Sequence, residues 1–209
     1  MLNLFKYLIS VFTFKTGNYK HQPEPLHAPL GLTWGLNIDE IKKEIEAISE
    51  ITLDERTTSI IFNPPNKIFD FENFELTVDE KYGLIGVTMT EYFSISDFDL
   101  HGKGSYYDIN KIISKKYGNP SSIKNPDNES EGNVFTNQNQ FSQSEDFINF
   151  LKDRWSSFYS FESGGWISVD LKKCDQGNSF LKLEYISANA KKIIREQVDK
   201  EKEKMSELL

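Results

Sequence analysis

Cysteine is nearly absent: Cys174 is the only one in 209 residues, so no internal disulfide can form and an oxidised scaffold has no support. Histidine is scarce as well, with His21, His27 and His101. Basic residues are outnumbered, 24 Lys and Arg against 32 Asp and Glu, for a net charge of −8 and a pI near 5.0. That balance excludes a general nucleic-acid binder, whose affinity comes from cations neutralising phosphates. No apolar stretch is long enough to cross a bilayer as a helix. The sequence also lacks a Walker loop, a dinucleotide fingerprint, a zinc-binding helix motif, a nucleophile elbow and an EF-hand loop. With no nucleophile–base set, neither an enzyme nor a cofactor is expected.

Apolar bulk is plentiful. Hydrophobic residues make up 38% and aromatics 13%, including 16 Phe, which is enough for a packed core and excludes wholesale disorder. Residues 1–14 are largely apolar, with Asn3, Lys6, Ser10 and Thr13 in one polar stripe and Phe5, Leu8, Ile9 and Phe12 opposite. The spacing predicts an amphipathic helix over 1–16 that docks on protein or lies on a membrane. No small-x-small cleavage site follows it, so a signal peptide is not expected. Residues 17–30, with three prolines, read as an extended linker.

The body, 31–187, divides at residue 100. Asn37-x-x-Glu40 has the form of a capping box, and Ile38, Ile41, Ile45 and Ile48 follow at helical spacing, predicting a helix over 38–50. Three strands are expected next, Thr57–Phe62, Phe69–Val78 and Leu84–Phe93; in the third, Ile85, Val87 and Met89 alternate with Gly86, Thr88 and Thr90. The second half opens with a helix from about Ser105, with Tyr106, Ile109, Ile112, Ile113 and Tyr117 inward, stopped by Gly118-Asn119-Pro120. Residues 119–143 read as a long polar loop with a short strand at Asn133–Thr136, and Ser142-x-x-Glu145 opens a short helix to Lys152. Strands follow at Trp155–Phe161, Trp166–Lys172 and Phe180–Ile186, then a charged helix over 188–209 with Ile194, Val198, Met205 and Leu208 on a narrow stripe. The fold class is α+β: two αβββ-like halves, antiparallel sheets covered by helices, and terminal helices outside the body.

Few groups carry chemistry. Asp97, Asp99 and His101 could form an acid/base cluster, but Asp97 and Asp99 would share a side only in extended chain. Gly102-Lys103-Gly104-Ser105 ahead of a helix is a shortened phosphate turn, and His21 with His27 is a sparse metal pair. Trp34, Trp155 and Trp166 read as packing residues. Charge is distributed unevenly: residues 36–100 carry 15 Asp and Glu against 5 Lys and Arg, a net of −10, so the remainder carries +2. The exposed carboxylates expected there are Asp39, Glu40, Glu44 and Glu46 on the first helix and Asp79 and Glu80 in a hairpin loop. An acidic face of this kind steers a basic protein partner.

The segments Gly31-Leu32-Thr33-Trp34-Gly35, Lys116-Tyr117-Gly118-Asn119-Pro120, Trp166-Ile167-Ser168-Val169-Asp170-Leu171 and Leu181-Lys182-Leu183-Glu184-Tyr185, with Phe74 and Leu76 on a strand pair, resemble a class of small bacterial α+β proteins that includes toxin immunity proteins. The resemblance covers about residues 31–187. It implies a non-enzymatic cytoplasmic protein that binds one cognate secreted toxin and occludes its active site, and it carries over no binding residues. A membrane-associated structural or assembly adaptor, held through residues 1–14, is the second reading.

Overall fold

The computed structural model describes residues 25–64, 66, 68–125, 154–174 and 178–207. Its centre is one eight-stranded antiparallel sheet: β1 (Glu46–Thr52), β2 (Thr57–Asn63), β3 (Asn73–Asp79), β4 (Gly83–Phe93), β5 (Ser122–Lys124), β6 (Arg154–Ser160), β7 (Trp166–Lys172) and β8 (Ser179–Ile186). The spatial order is β1-β2-β3-β4-β8-β7-β6-β5. Two four-stranded meanders therefore meet through their last strands, with Val87 opposite Tyr185 and Met89 opposite Leu183. The expected pair of αβββ halves is corrected: each meander has four strands, and all eight share one sheet.

Three helices accompany the sheet among the described residues: α1 (Ile38–Glu44), α2 (Lys103–Tyr117) and α3 (Ala188–Glu207). The capping box at α1 is present. Asn37 Oδ1 accepts from Glu40 N at 3.0 Å, and Glu40 Oε2 accepts from Asn37 N at 2.9 Å. The helix stops at Glu44, six residues before the expected end, and the chain continues as β1. The isoleucine spacing misled because β-branched Ile48, Ile51 and Thr52 suit an extended chain, and because Asp54 closes a hairpin. Its Oδ1 accepts from the backbone of Arg56 and Thr57, both at 2.8 Å, which turns β1 back onto β2. Ile48, expected inward, is 60% exposed.

Alternation along the strands puts one set of side chains under α1 and α2. Ile60 and Phe62, Phe74 and Leu76, Val87 and Met89, Ile167 and Val169, and Leu181 and Leu183 form the core with Ile41 of α1 and Tyr106, Ile109, Ile113 and Tyr117 of α2. Full burial of each such aliphatic or Phe side chain contributes about 1.5–3 kcal/mol relative to leaving it in water. Tyr106 donates or accepts at 2.6 Å with Ser157 Oγ, and burial pushes its phenol above the usual range. Ile112, expected in that row, is instead half exposed and borders a small apolar cleft with Phe69 and Met89. Gly118, at φ 87, ends α2 with its N–H on Ser114 O, as the Gly-Asn-Pro sequence predicts.

The opposite sheet face is more polar, with Phe158 and the buried Trp166 in ring contact on it and Arg154 donating twice to the buried Asp170 at 3.0 and 2.7 Å. Burial pushes the Asp170 carboxyl up, and Arg154 and Lys182 pull it back. The third helix packs against β4 and buries Ala190, Ile193 and Ile194. Of the expected elements, the helix at 1–16, the strand at 133–136 and the helix at 142–152 lie outside the described residues, as do Leu208 and the side chain of Met205. No helix among the described residues is long and apolar enough to cross a membrane.

Candidate functional site

The inward row of β4 begins as the sequence suggests, with Val87 and Met89 in the core, and Phe93 ends it. Between them stands Glu91, a carboxylate in a row of hydrophobic positions, 2% exposed. The chain after β4 folds back over it. Residues Ile95–Asp97 make a turn of 3-10 helix and Phe98–Gly102 a turn of π-helix that runs straight into α2. This places His101 Nε2 2.6 Å from Glu91 Oε1. Aromatic contacts hold the arrangement: the Phe93 ring meets His101 edge-on at 6.2 Å and packs on Phe98, which packs on Trp155. Gly102 leaves room for this stack, since a Cβ there would sit 2.5 Å from Phe93 Cε2.

A third group arrives from the β2–β3 connection. Glu72 N donates to Thr90 O at 3.0 Å and Phe71 is buried in the core, which ties the loop to β4 and sets Asp70 beside Glu91. One donor atom from each of Asp70, Glu91 and His101 lies within 4.8 Å of the others. They share a cleft of about 470 Å3 with Glu72, Tyr92, Phe93 and Asp97. Among the described residues, Glu91 Oε2 is buried and has no hydrogen-bond partner.

The three residues weighed as an acid/base cluster, Asp97, Asp99 and His101, do not come together. His101 is paired with Glu91 instead. Asp97 lines the cleft and accepts from Ser94 Oγ at 2.6 Å, while Asp99 points away, 3.1 Å from Lys103 Nζ. The phosphate-turn reading of 102–105 fails, because Gly102 already has helical backbone angles and Lys103 N donates to the preceding turn, so no free helix start exists there. Of the metal pair, His27 is exposed and His21 lies outside the described residues. Glu91 and Asp70 were not singled out from sequence. The signal for Glu91 was present: extending the Val87, Met89 alternation by one step puts a carboxylate in the inward row.

The second feature is the acidic border. Asp39, Glu40, Glu44 and Glu46 are exposed as expected, although Glu46 opens β1 and is not on the first helix, and Glu40 spends one oxygen on the capping box. Glu80 is exposed and lies against the β1–β2 turn, donating its N–H to Arg56 O at 2.8 Å. Asp79 is the correction: it is 1% exposed, so it offers nothing to a partner. Its Oδ1 accepts from Lys81 N and Tyr82 N, both at 2.9 Å, and from Arg56 Nη2 at 3.1 Å. The strand β1 forms one edge of the sheet and is exposed along nearly its whole length, with Ile48 and Ile51 set among Glu46 and Glu50.

No protein-family model, curated protein or solved structure matches the chain. The geometry of the border and of the cleft therefore carries the functional argument.

Proposed function

We propose that the protein is a non-enzymatic binding protein that engages a basic partner protein along β1 and the carboxylates around it. The class of partner follows from the sequence resemblance: a secreted bacterial toxin, neutralised by covering its active site, with the complex forming in the cytoplasm. The observation that carries the binding surface is β1 itself. An edge strand presents unpaired backbone donors and acceptors that a partner strand can complete. Here two exposed isoleucines add apolar contact, and Glu44, Glu46 and Glu80 flank the strand with negative charge. Rim charges of that kind raise the association rate more than they hold the complex together.

The test uses the full chain and the product of the neighbouring gene, expected on this reading to be a basic secreted protein. Asp39, Glu44, Glu46 and Glu80 are changed together to Lys, and Glu40 is kept because its loss would unseat α1. The expected result is an association rate at least tenfold slower at low salt, a much smaller difference near 1 M salt where the Debye length is about 3 Å, an unchanged circular dichroism spectrum, and loss of protection when the partner is co-expressed. Binding that is salt-independent and equal in the variant removes the acidic border from the interface. Failure of the wild type to protect cells from the neighbouring gene product removes the toxin-neutralising reading.

A further inference from the structure

We propose that Asp70, Glu91 and His101 form a binding site for a divalent transition-metal ion. The site lies in the cleft over the end of β4 and is independent of the β1 surface.

The first argument is the donor set. One imidazole and two carboxylates, contributed by the β2–β3 connection, β4 and the π-helical turn, make a mixed nitrogen and oxygen site. Imidazole selects for ions such as Zn2+, whereas Mg2+ and Ca2+ favour sets made of oxygen. The second argument is the state of Glu91. A buried polar atom without a partner costs about 1–3 kcal/mol, more for a charged group, and native proteins keep few of them. Glu91 uses Oε1 on His101 and holds Oε2 buried with no partner among the described residues. An ion seated against that oxygen supplies what the protein does not.

The third argument is reach. Metal–ligand bonds of about 2.0–2.1 Å in a tetrahedron put donor atoms about 3.3 Å apart. The donors here lie within 4.8 Å of one another, and His101 to Glu91 is 2.6 Å. The exposed side chains of Asp70 and His101 are the ones that can adjust toward that spacing, while Glu91 is held on its strand. The fourth argument is the surroundings. Glu72 and Asp97 also line the cleft, and their carboxylates add to its attraction for a cation. Three protein donors also leave a coordination position facing the 470 Å3 cleft, where a water or a partner's side chain can complete the shell.

The test titrates chelator-treated full-length protein with ZnCl2, and with MgCl2 for comparison, by calorimetry and thermal melting. One saturable Zn2+ site is expected, with a melting temperature raised by Zn2+ and unmoved by equimolar Mg2+. Asp70→Asn and His101→Gln should each weaken Zn2+ binding at least tenfold, and Glu91→Gln at least as much. His21→Gln, His27→Gln and Cys174→Ser should leave it unchanged, which separates this site from adventitious ligands elsewhere. If Glu91→Gln fails to fold, the two exposed positions decide the matter. Zn2+ affinity that persists in both Asp70→Asn and His101→Gln, that is carried by the His21, His27 or Cys174 controls, or that is absent in the wild type at 100 μM overturns the proposal. None of these variants touches the acidic border, so partner binding reports on the other reading separately.

Discussion

Asp79 and Glu91 stand on neighbouring strands and are almost equally buried, at 1% and 2% exposure, yet their surroundings differ sharply. Asp79 ends β3 and is served from several sides: two backbone amides of its own hairpin and the Arg56 guanidinium share its Oδ1. Arg56 goes on to Glu196 of α3 at 3.0 Å, and Glu196 also accepts from Lys81 Nζ at 2.7 Å and Tyr82 OH at 2.6 Å. The cluster closes a hairpin and fastens the last helix to it. Glu91 stands in the inward row of β4, between Met89 and Phe93, with His101 as its hydrogen-bond partner among the described residues. Each carboxylate keeps one buried oxygen without a hydrogen bond among the described residues; at Asp79 that oxygen lies 3.0 Å from the Arg56 guanidinium, whereas Glu91 has a histidine on its other oxygen.

Substitution should separate the two. Asp79→Ala strips the hairpin amides of their acceptor and leaves Arg56 without its buried partner. The expected loss is about 2–4 kcal/mol, discounted from the fully buried case because Arg56 reaches solvent. Urea denaturation measures it, and a loss below about 1 kcal/mol would make Asp79 a bystander. The neighbouring Gly83 sharpens the point, since it sits at φ 65 and a Cβ there would lie 2.1 Å from Gly35 O. Gly83→Ala should destabilise by about 3 kcal/mol or more, from left-handed strain and the overlap together.

A pH effect comes next in size. Hydrogen bonds from Lys81, Tyr82 and Arg56 pull the Glu196 carboxyl from 4.5 down to about 2. A carboxyl with a lowered value in the folded chain stabilises above its unfolded value, and the contribution fades as pH falls from 4.5 toward 2. Melting temperature should therefore drop more steeply across that window in wild type than in Glu196→Gln. Parallel curves would deny Glu196 a part in the docking of α3.

The smallest effect belongs to Glu91. Glu91→Gln keeps the shape and can still meet His101, so metal-free stability should shift by less than about 1 kcal/mol, or rise. A loss as large as that of Asp79→Ala would erase the contrast and make Glu91 a structural group.

Much of this architecture was legible. Six of the eight strands follow from runs of β-branched and aromatic residues bounded by turns, and α2 from its inward row and its Gly-Asn-Pro stop. The strand β1 was not, because Ile38, Ile41, Ile45 and Ile48 satisfy a helical period across a real boundary, and only the Asp54 turn and pairing with β2 decide where the helix yields. The acidic border was legible residue by residue except at Asp79, whose burial depends on Arg56, 23 positions earlier, and on the docking of α3. The cleft was half legible. His101 drew notice for its chemistry and Glu91 could be placed inward by alternation, but their meeting needs the π-helical turn, and Asp70 arrives from a loop whose path no local pattern gives.

The edge position of β1 among the described residues also bears on how copies of this chain behave toward one another. An edge strand with exposed Ile48 and Ile51 is the kind of feature by which sheets of identical proteins zip together. Here an in-register parallel pairing brings Glu44 and Glu46 of one copy beside the same residues of the next, while Glu50 is held by Lys42, and the irregular register between Ala47 and Ser49 spoils a straight match. If the proposed basic partner docks along this edge, the same charge that draws it opposes pairing of two copies there.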